Sequence, residues 1–155
     1  MDLINDKIIA ALQSLVEICR DGNQGFKDAG DDVKDKRLRE QMHEFSEQRM
    51  NFSIELKDIV ESSGGDINLS GTILGSLHRR WMDIRFGVIG TDTEGILKEC
   101  LRGEKTALQK YENALSIELP DDIRKVVERQ YSEINRVVET IHKMIETNRY
   151  SAASN

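Results

Sequence analysis

Apolar residues recur every three or four positions through four long stretches of this chain, and that spacing restricts its fold more than any other feature. At about 100° per residue the spacing lays a stripe along one face of an α-helix, which another element must cover. In the first stretch, about Leu3 to Ala29, the stripe is Ile4, Ile8, Leu12, Leu15, Cys19, Gly22, Phe26 and Ala29. In the second, about Lys36 to Ser62, it is Leu38, Met42, Phe45, Phe52, Leu56 and Ile59, with Arg49 in its middle. In the third, from near Thr93 to about Glu118, Leu97, Cys100, Leu101, Leu108, Tyr111 and Leu115 face inward and Glu104 sits among them. In the fourth, Ile123, Val127, Tyr131, Ile134, Val138, Ile141 and Ile145 carry the stripe to about Asn148. Pro120 suits the start of that last helix, where a missing N–H costs nothing.

Short breaks separate the helices within each pair. Gly30-Asp31-Asp32-Val33-Lys34-Asp35 is a turn that makes the second helix an antiparallel neighbour of the first, and Ser63-Gly64-Gly65-Asp66 stops the second helix. The expected fold is all-α: two antiparallel hairpins joined by a helical crossover, in one four-helix bundle over residues 1–148. Residues 149–155 read as a flexible C-terminal tail.

The crossover, a predicted helix over residues 71–89, is apolar on two sides. Ile73, Leu77, Trp81, Ile84 and Val88 form one stripe, and Met82, Phe86 and Ile89 lie roughly opposite. A helix apolar on two sides is normally covered on two sides, so Met82, Phe86 and Ile89 are the expected self-association face. His78, Arg79, Arg80, Trp81 and Arg85 are the alternative: a basic and aromatic face that could hold an anion, a cofactor or a partner.

Composition narrows the function. A net charge of −6 leaves nothing to neutralise a phosphate backbone, so no nucleic-acid partner is expected. No apolar run reaches the roughly 20 residues of a membrane span, and the first residues lack the basic start and long apolar core of a signal peptide. Cys19 and Cys100, far apart and on apolar faces, suit reduced core thiols, and the cytoplasm is the expected location.

The chain also resembles a bacterial family of ferritin-like four-helix-bundle proteins of unknown function. The resemblance rests on Glu17-Ile18-Cys19-Arg20-Asp21-Gly22 with Gly25-Phe26, and on Ser76-Leu77-His78-Arg79 with Trp81-Met82. Glu99-Cys100 with Arg102-Gly103-Glu104, and Glu128-Arg129-Gln130-Tyr131, complete it. It implies the ferritin-like fold and supplies no activity.

Ferritin-like metal enzymes direct a Glu inward from each of two helices and Glu-x-x-His from the other two. That pattern is missing. Glu17 points away from its stripe, Glu47-Gln48-Arg49-Met50 ends in Met, and Glu128-Arg129-Gln130-Tyr131 ends in Tyr. The literal Glu139-Thr140-Ile141-His142 has its Glu outside the stripe, and His43 falls on a polar face. No metal, cofactor or catalytic residue is therefore assigned. Arg49 and Glu104 are expected to form a buried ion pair, with Gln130, Tyr111 and Tyr131 taking the remaining hydrogen bonds. The leading expectation is a non-enzymatic bundle acting by self-association, as a dimer, or by binding a protein partner. The alternatives are a carboxylate iron or manganese protein, and an anion or cofactor binder on the central helix.

Overall fold

The computed structural model describes residues 4–67 and 92–154, with side chains as far as Arg149. Four α-helices make up the described residues: α1 (Asp6–Asp32), α2 (Lys36–Ser62), α3 (Thr93–Leu115) and α4 (Asp121–Ser154). The predicted crossover helix, with its two apolar faces and its basic residues, lies outside the described residues.

Each helix begins where a side chain can satisfy free backbone N–H groups. The N-cap side chains of Asn5, Asp35 and Asp92 accept from the backbone N–H of Ile8, Leu38 and Gly95, at 2.9, 3.0 and 2.6 Å. At the start of α4 the Pro120 carbonyl accepts the Arg124 N–H at 2.9 Å. The end of α2 is a Schellman motif. The Gly65 N–H reaches the Val60 carbonyl at 3.0 Å and the Gly64 N–H reaches Glu61 at 3.1 Å, with Gly64 at φ 90°.

Three expected helix ends move, and α3 stops at Leu115 rather than near Glu118. Gly30 does not open the first turn, because α1 continues to Asp32 and buries it. A Cβ at Gly30 would stand 2.6 Å from the His43 ring, so the glycine admits close contact with α2. At the other end, α4 runs on to Ser154, past the expected stop near Asn148. Nothing in Ser151-Ala152-Ala153 breaks a helix, and Ala favours one.

The directions of the helices follow from who shares a core. One cluster gathers Leu12 and Leu15 from the first half of α1 and Leu56 and Val60 from the second half of α2. It also takes Tyr111 from the end of α3 and Ile123 from the start of α4. The other cluster joins Phe26 late in α1, Met42 early in α2, Leu97 early in α3 and Ile141 late in α4. Thus α1 and α4 run one way, α2 and α3 the other. Helix α1 packs on α2 and α3, and α4 packs on α3 and more thinly on α2. Helices α2 and α3 therefore face each other across the bundle diagonal.

Gly64 offers a clean test of the α2 stop signal. Nothing lies within 4 Å of a Cβ placed there, so Gly64→Ala meets only the left-handed backbone penalty. The expected loss is about 1–2 kcal/mol in urea denaturation; an unchanged midpoint would show that the backbone relaxes away from this cap.

Candidate functional site

The two apolar clusters are separated by a layer of buried polar side chains, and this layer is where the chemistry-bearing residues of the interior lie. Arg49 occupies an inward position of α2 between Phe45 and Phe52, and Glu104 an inward position of α3. The structure brings them together: the two terminal nitrogens of Arg49 donate to the two carboxylate oxygens of Glu104. Each side chain is 1% exposed. Because the backbones of α2 and α3 stay apart across the diagonal, the long Arg side chain reaches Glu104 where a shorter residue would fall short.

Neighbouring residues fit the guanidinium. Its carbon lies 5.3 Å from the centre of the Phe26 ring, a cation–π distance, and Phe26 meets Phe45 edge-on at 5.4 Å. Gly22 leaves room for the stem, since a Cβ there would sit 3.3 Å from Arg49 Cγ. Arg49 Nε donates to Gln48 at 3.3 Å. Burial works against the cation, but the facing carboxylate outweighs it and raises the Arg49 pKa above its ordinary value.

Beside the pair runs a hydrogen-bonded chain from the core to the surface. Tyr111 donates its hydroxyl to Gln130 Oε1 at 2.6 Å, which leaves the Cys19 thiol, 3.1 Å away, to donate to the Tyr111 oxygen. Gln130 then donates to the Phe52 carbonyl at 3.3 Å and to Glu55 at 2.8 Å, and Glu55 is met from outside by Arg129. Burial, ahead of the contact with Cys19, lifts the Tyr111 hydroxyl well above its usual range. Burial also raises the Cys19 thiol to about 11, and raises Cys100, whose thiol faces Met42 Sδ at 3.9 Å. At neutral pH these groups are protonated, which removes the two thiols as nucleophiles.

Gln130 and Tyr111 thus serve their own chain rather than the ion pair. Tyr131 departs further from expectation: its hydroxyl donates to Glu112 at 3.0 Å on the exposed side of α3 and α4. The buried line of α4 is Ile123, Val127, Gln130, Ile134, Val137 and Ile141, each fully or nearly fully buried, which puts Tyr131 and Val138 at its edge. A polar residue held the stripe position, so reading apolar residues alone selected its neighbour.

The other candidate ligands stay apart. Glu17 is half-buried and accepts from Gln13 at 3.1 Å, while Glu47, Glu128, Glu139 and His142 are exposed. His43 is exposed and meets Asp31 at 3.2 Å. Among the described residues no three His, Cys, Asp or Glu side chains gather as a metal site would require. Met82, Phe86 and Ile89, with His78, Arg79, Arg80, Trp81 and Arg85, lie outside the described residues. Sequence reasoning did not weigh the buried carboxylates Asp21 and Glu99, at 2% and 8% exposure. Arg102, one turn on, holds Glu99 at 2.6 and 2.7 Å, and that i, i+3 spacing was the available signal. A second missed feature is a clasp between α1 and α2, where Asn23 and Ser46 exchange bonds of 2.6 to 2.9 Å.

The chain matches a family model described as "Domain of unknown function (DUF2383)" over residues 7–117, and it belongs to that family. The matched residues hold Cys19, Arg49, Glu104 and Tyr111, while Gln130 lies beyond them. None of the curated proteins matches the chain. No described helix is long and apolar enough to cross a membrane.

Removing one member of the ion pair strands the other. Arg49→Leu or Glu104→Leu should each cost about 3–5 kcal/mol in urea denaturation, and the double replacement much less than their sum. Additive losses would mean that the two charges are stabilised independently. The thiols supply a second test. A rise from 9.0 to about 11 lowers the Cys19 thiolate fraction at pH 8 by roughly a hundredfold. Iodoacetamide should therefore label native Cys19 at least that much more slowly than the urea-unfolded chain. Comparable rates would show that Cys19 is not held in a closed core.

Proposed function

We propose that this member of a family of unknown function is a non-enzymatic ferritin-like bundle that acts by association, with a copy of itself or with a partner protein, in the cytoplasm. The observation that carries this reading is the closed ion pair at the bundle centre. In a ferritin-like bundle the inward carboxylates of the middle layer are the metal ligands. Here Glu104 spends both of its oxygens on Arg49, and the pair is shut away from solvent. A fixed cation beside that carboxylate opposes the entry of a second cation by direct repulsion. Association would then fall to the outer surfaces, and Met82, Phe86 and Ile89 of the central stretch supply one apolar set. Two buried free thiols suit a reducing compartment.

Protein purified without chelator, examined by elemental analysis and light scattering, tests this reading. The expected result is a dimer mass at tens of micromolar with iron and manganese far below one per chain. Phe86→Glu should reduce the dimer fraction while leaving helix content nearly unchanged. A monomer at that concentration, or stoichiometric iron or manganese, would overturn the proposal.

A further inference from the structure

Helices α2 and α3 run the same way, so the chain between them, 24 residues from 68 to 91, must travel back along the bundle. Its two ends fix the route. After α2 the chain turns to the start of α1: a Cβ on Gly65 would lie 3.2 Å from Ile4 and from Ile9, and Ile67 is buried with Leu12 and Leu15. It re-enters beside the end of α1, where Ile96 and Leu97 of α3 share a cluster with Ala29 and Val33. The route is therefore the length of α1, whose 27 residues span about 40 Å. At helical rise the intervening residues cover about 36 Å, so a helix fits the path, whereas an extended chain would be about twice too long.

Along that route α1 and α3 bury more than their inward lines. Asn23 and Gly30 meet Ser46 and His43 on the flank of α1 towards α2, while Ile18, Asp21 and Gly25 are buried on the opposite flank, towards α3. On α3, Glu112 meets Tyr131 on the flank towards α4, and Ile96, Glu99 and Gly103 are buried on the flank towards α1. Asp21 and Glu99 stand about 130° round from the inward lines of their helices, where a bundle turns to solvent, yet they are 2% and 8% exposed. Lys27 and Lys105, nearly as far round on the other flanks, are exposed. Glu17, Asp28 and Asp32 extend the line of Asp21 along α1, each half-buried. Arg102 already holds Glu99, so it is this α1 line that makes the rim net negative. The α2–α4 seam differs: it is left open as a groove of about 680 Å³, with Ile54 half-exposed in its lining.

We propose that the acidic rim of the α1–α3 seam is the docking surface of the chain's own central stretch, residues 71–89, which lies parallel to α1 with the Ile73, Leu77, Trp81, Ile84 and Val88 stripe in the seam. Charge agrees with the route. The central stretch carries three Arg against the one Asp83, in a chain of net charge −6, so it is a basic segment in an acidic molecule. With right-handed helices in this order, the flank of the stripe that bears His78 and Arg85 overlies α1. His78 and Arg85 are seven residues apart, as are Asp21 and Asp28, so two parallel helices bring both pairs to matching levels. Counting at equal rise from Gly65, beside Ile4 and Ile9, reaches those levels to within a turn. Ion pairs closed beneath a helix are screened less than pairs in open solvent. Met82, Phe86 and Ile89 are then turned outward. This placement goes beyond the association proposed above and stands whether or not that association occurs.

Trp81 is the one Trp of the chain, so its fluorescence reports the central stretch alone. Cys19 and Cys100 are buried, which leaves an introduced surface thiol as the site a nitroxide reagent labels in the folded full chain. A nitroxide on Gln24→Cys, at the α1 rim, should quench most of the Trp81 emission, and one on Ile54→Cys, at the open α2–α4 seam, should leave it unchanged. Quenching from Ile54→Cys alone, from both positions or from neither overturns the placement. Arg85→Asp and Asp28→Lys should each raise the acrylamide quenching constant of Trp81 severalfold, and the two together should return it to the parent value. Single reversals without effect, or a double exchange that restores nothing, overturn the pairing. The far-ultraviolet circular dichroism of each variant, matched to the parent, controls for folding. A parent that is monomeric in light scattering removes the association and leaves these outcomes as they stand.

Discussion

A guanidinium and a carboxylate, each about as buried as a core leucine, join two helices whose backbones stay apart across the bundle diagonal. Moving either charge out of water costs several kcal/mol, and the cost is offset only when both terminal nitrogens of Arg49 meet both oxygens of Glu104. Interdigitated apolar side chains resist axial sliding, and a bidentate ion pair in a dry site resists it further. The pair thus adds to the packing that sets the axial register of α2 against α3, and it lies where the interior divides into two apolar clusters. Gly22 and Phe26 of α1 belong to the same device, one making room for the stem of Arg49 and the other giving its guanidinium a ring face.

The polar chain beside the pair joins the interior to the α2–α4 seam. Cys19, Tyr111, Gln130 and Glu55 each satisfy the next, so no side chain in the sequence of bonds can move without leaving a buried polar group short of a partner. Apolar packing holds α1 to α2 and α3 to α4. Across the thin contact of α2 with α4, the bridging of Glu55 by Gln130 and Arg129 assumes part of that role. The surface that looks least finished is thus tied to the most buried residues.

Much of this interior could be read from the chain. Arg49 and Glu104 each interrupt an apolar stripe, and an interrupted stripe implies a buried charge that requires a partner. What the spacing could not provide was the level at which α2 and α3 meet, because helical periodicity fixes direction around an axis and says nothing about position along it. Tyr131 shows the complementary failure. Its spacing puts it on the apolar stripe, whereas Gln130 has the inward direction and Tyr131 only its edge. Gly30 shows a third: glycine stops a helix by its backbone freedom or permits contact by its missing side chain, and the neighbour that decides between them, His43, comes from another helix.

The sequence by itself determined the four helices and most of the residues each one buries, because period, caps and the Gly64 stop are local properties carried by neighbouring residues. Tertiary structure alone decided that Arg49 crosses the bundle diagonal, that Tyr111 turns to Cys19 and Gln130, and that the α2–α4 seam stays open. Those outcomes depend on which groups arrive at the same depth from helices distant in sequence, and the energy that selects the match, desolvation against pairing, exists only once the helices have packed.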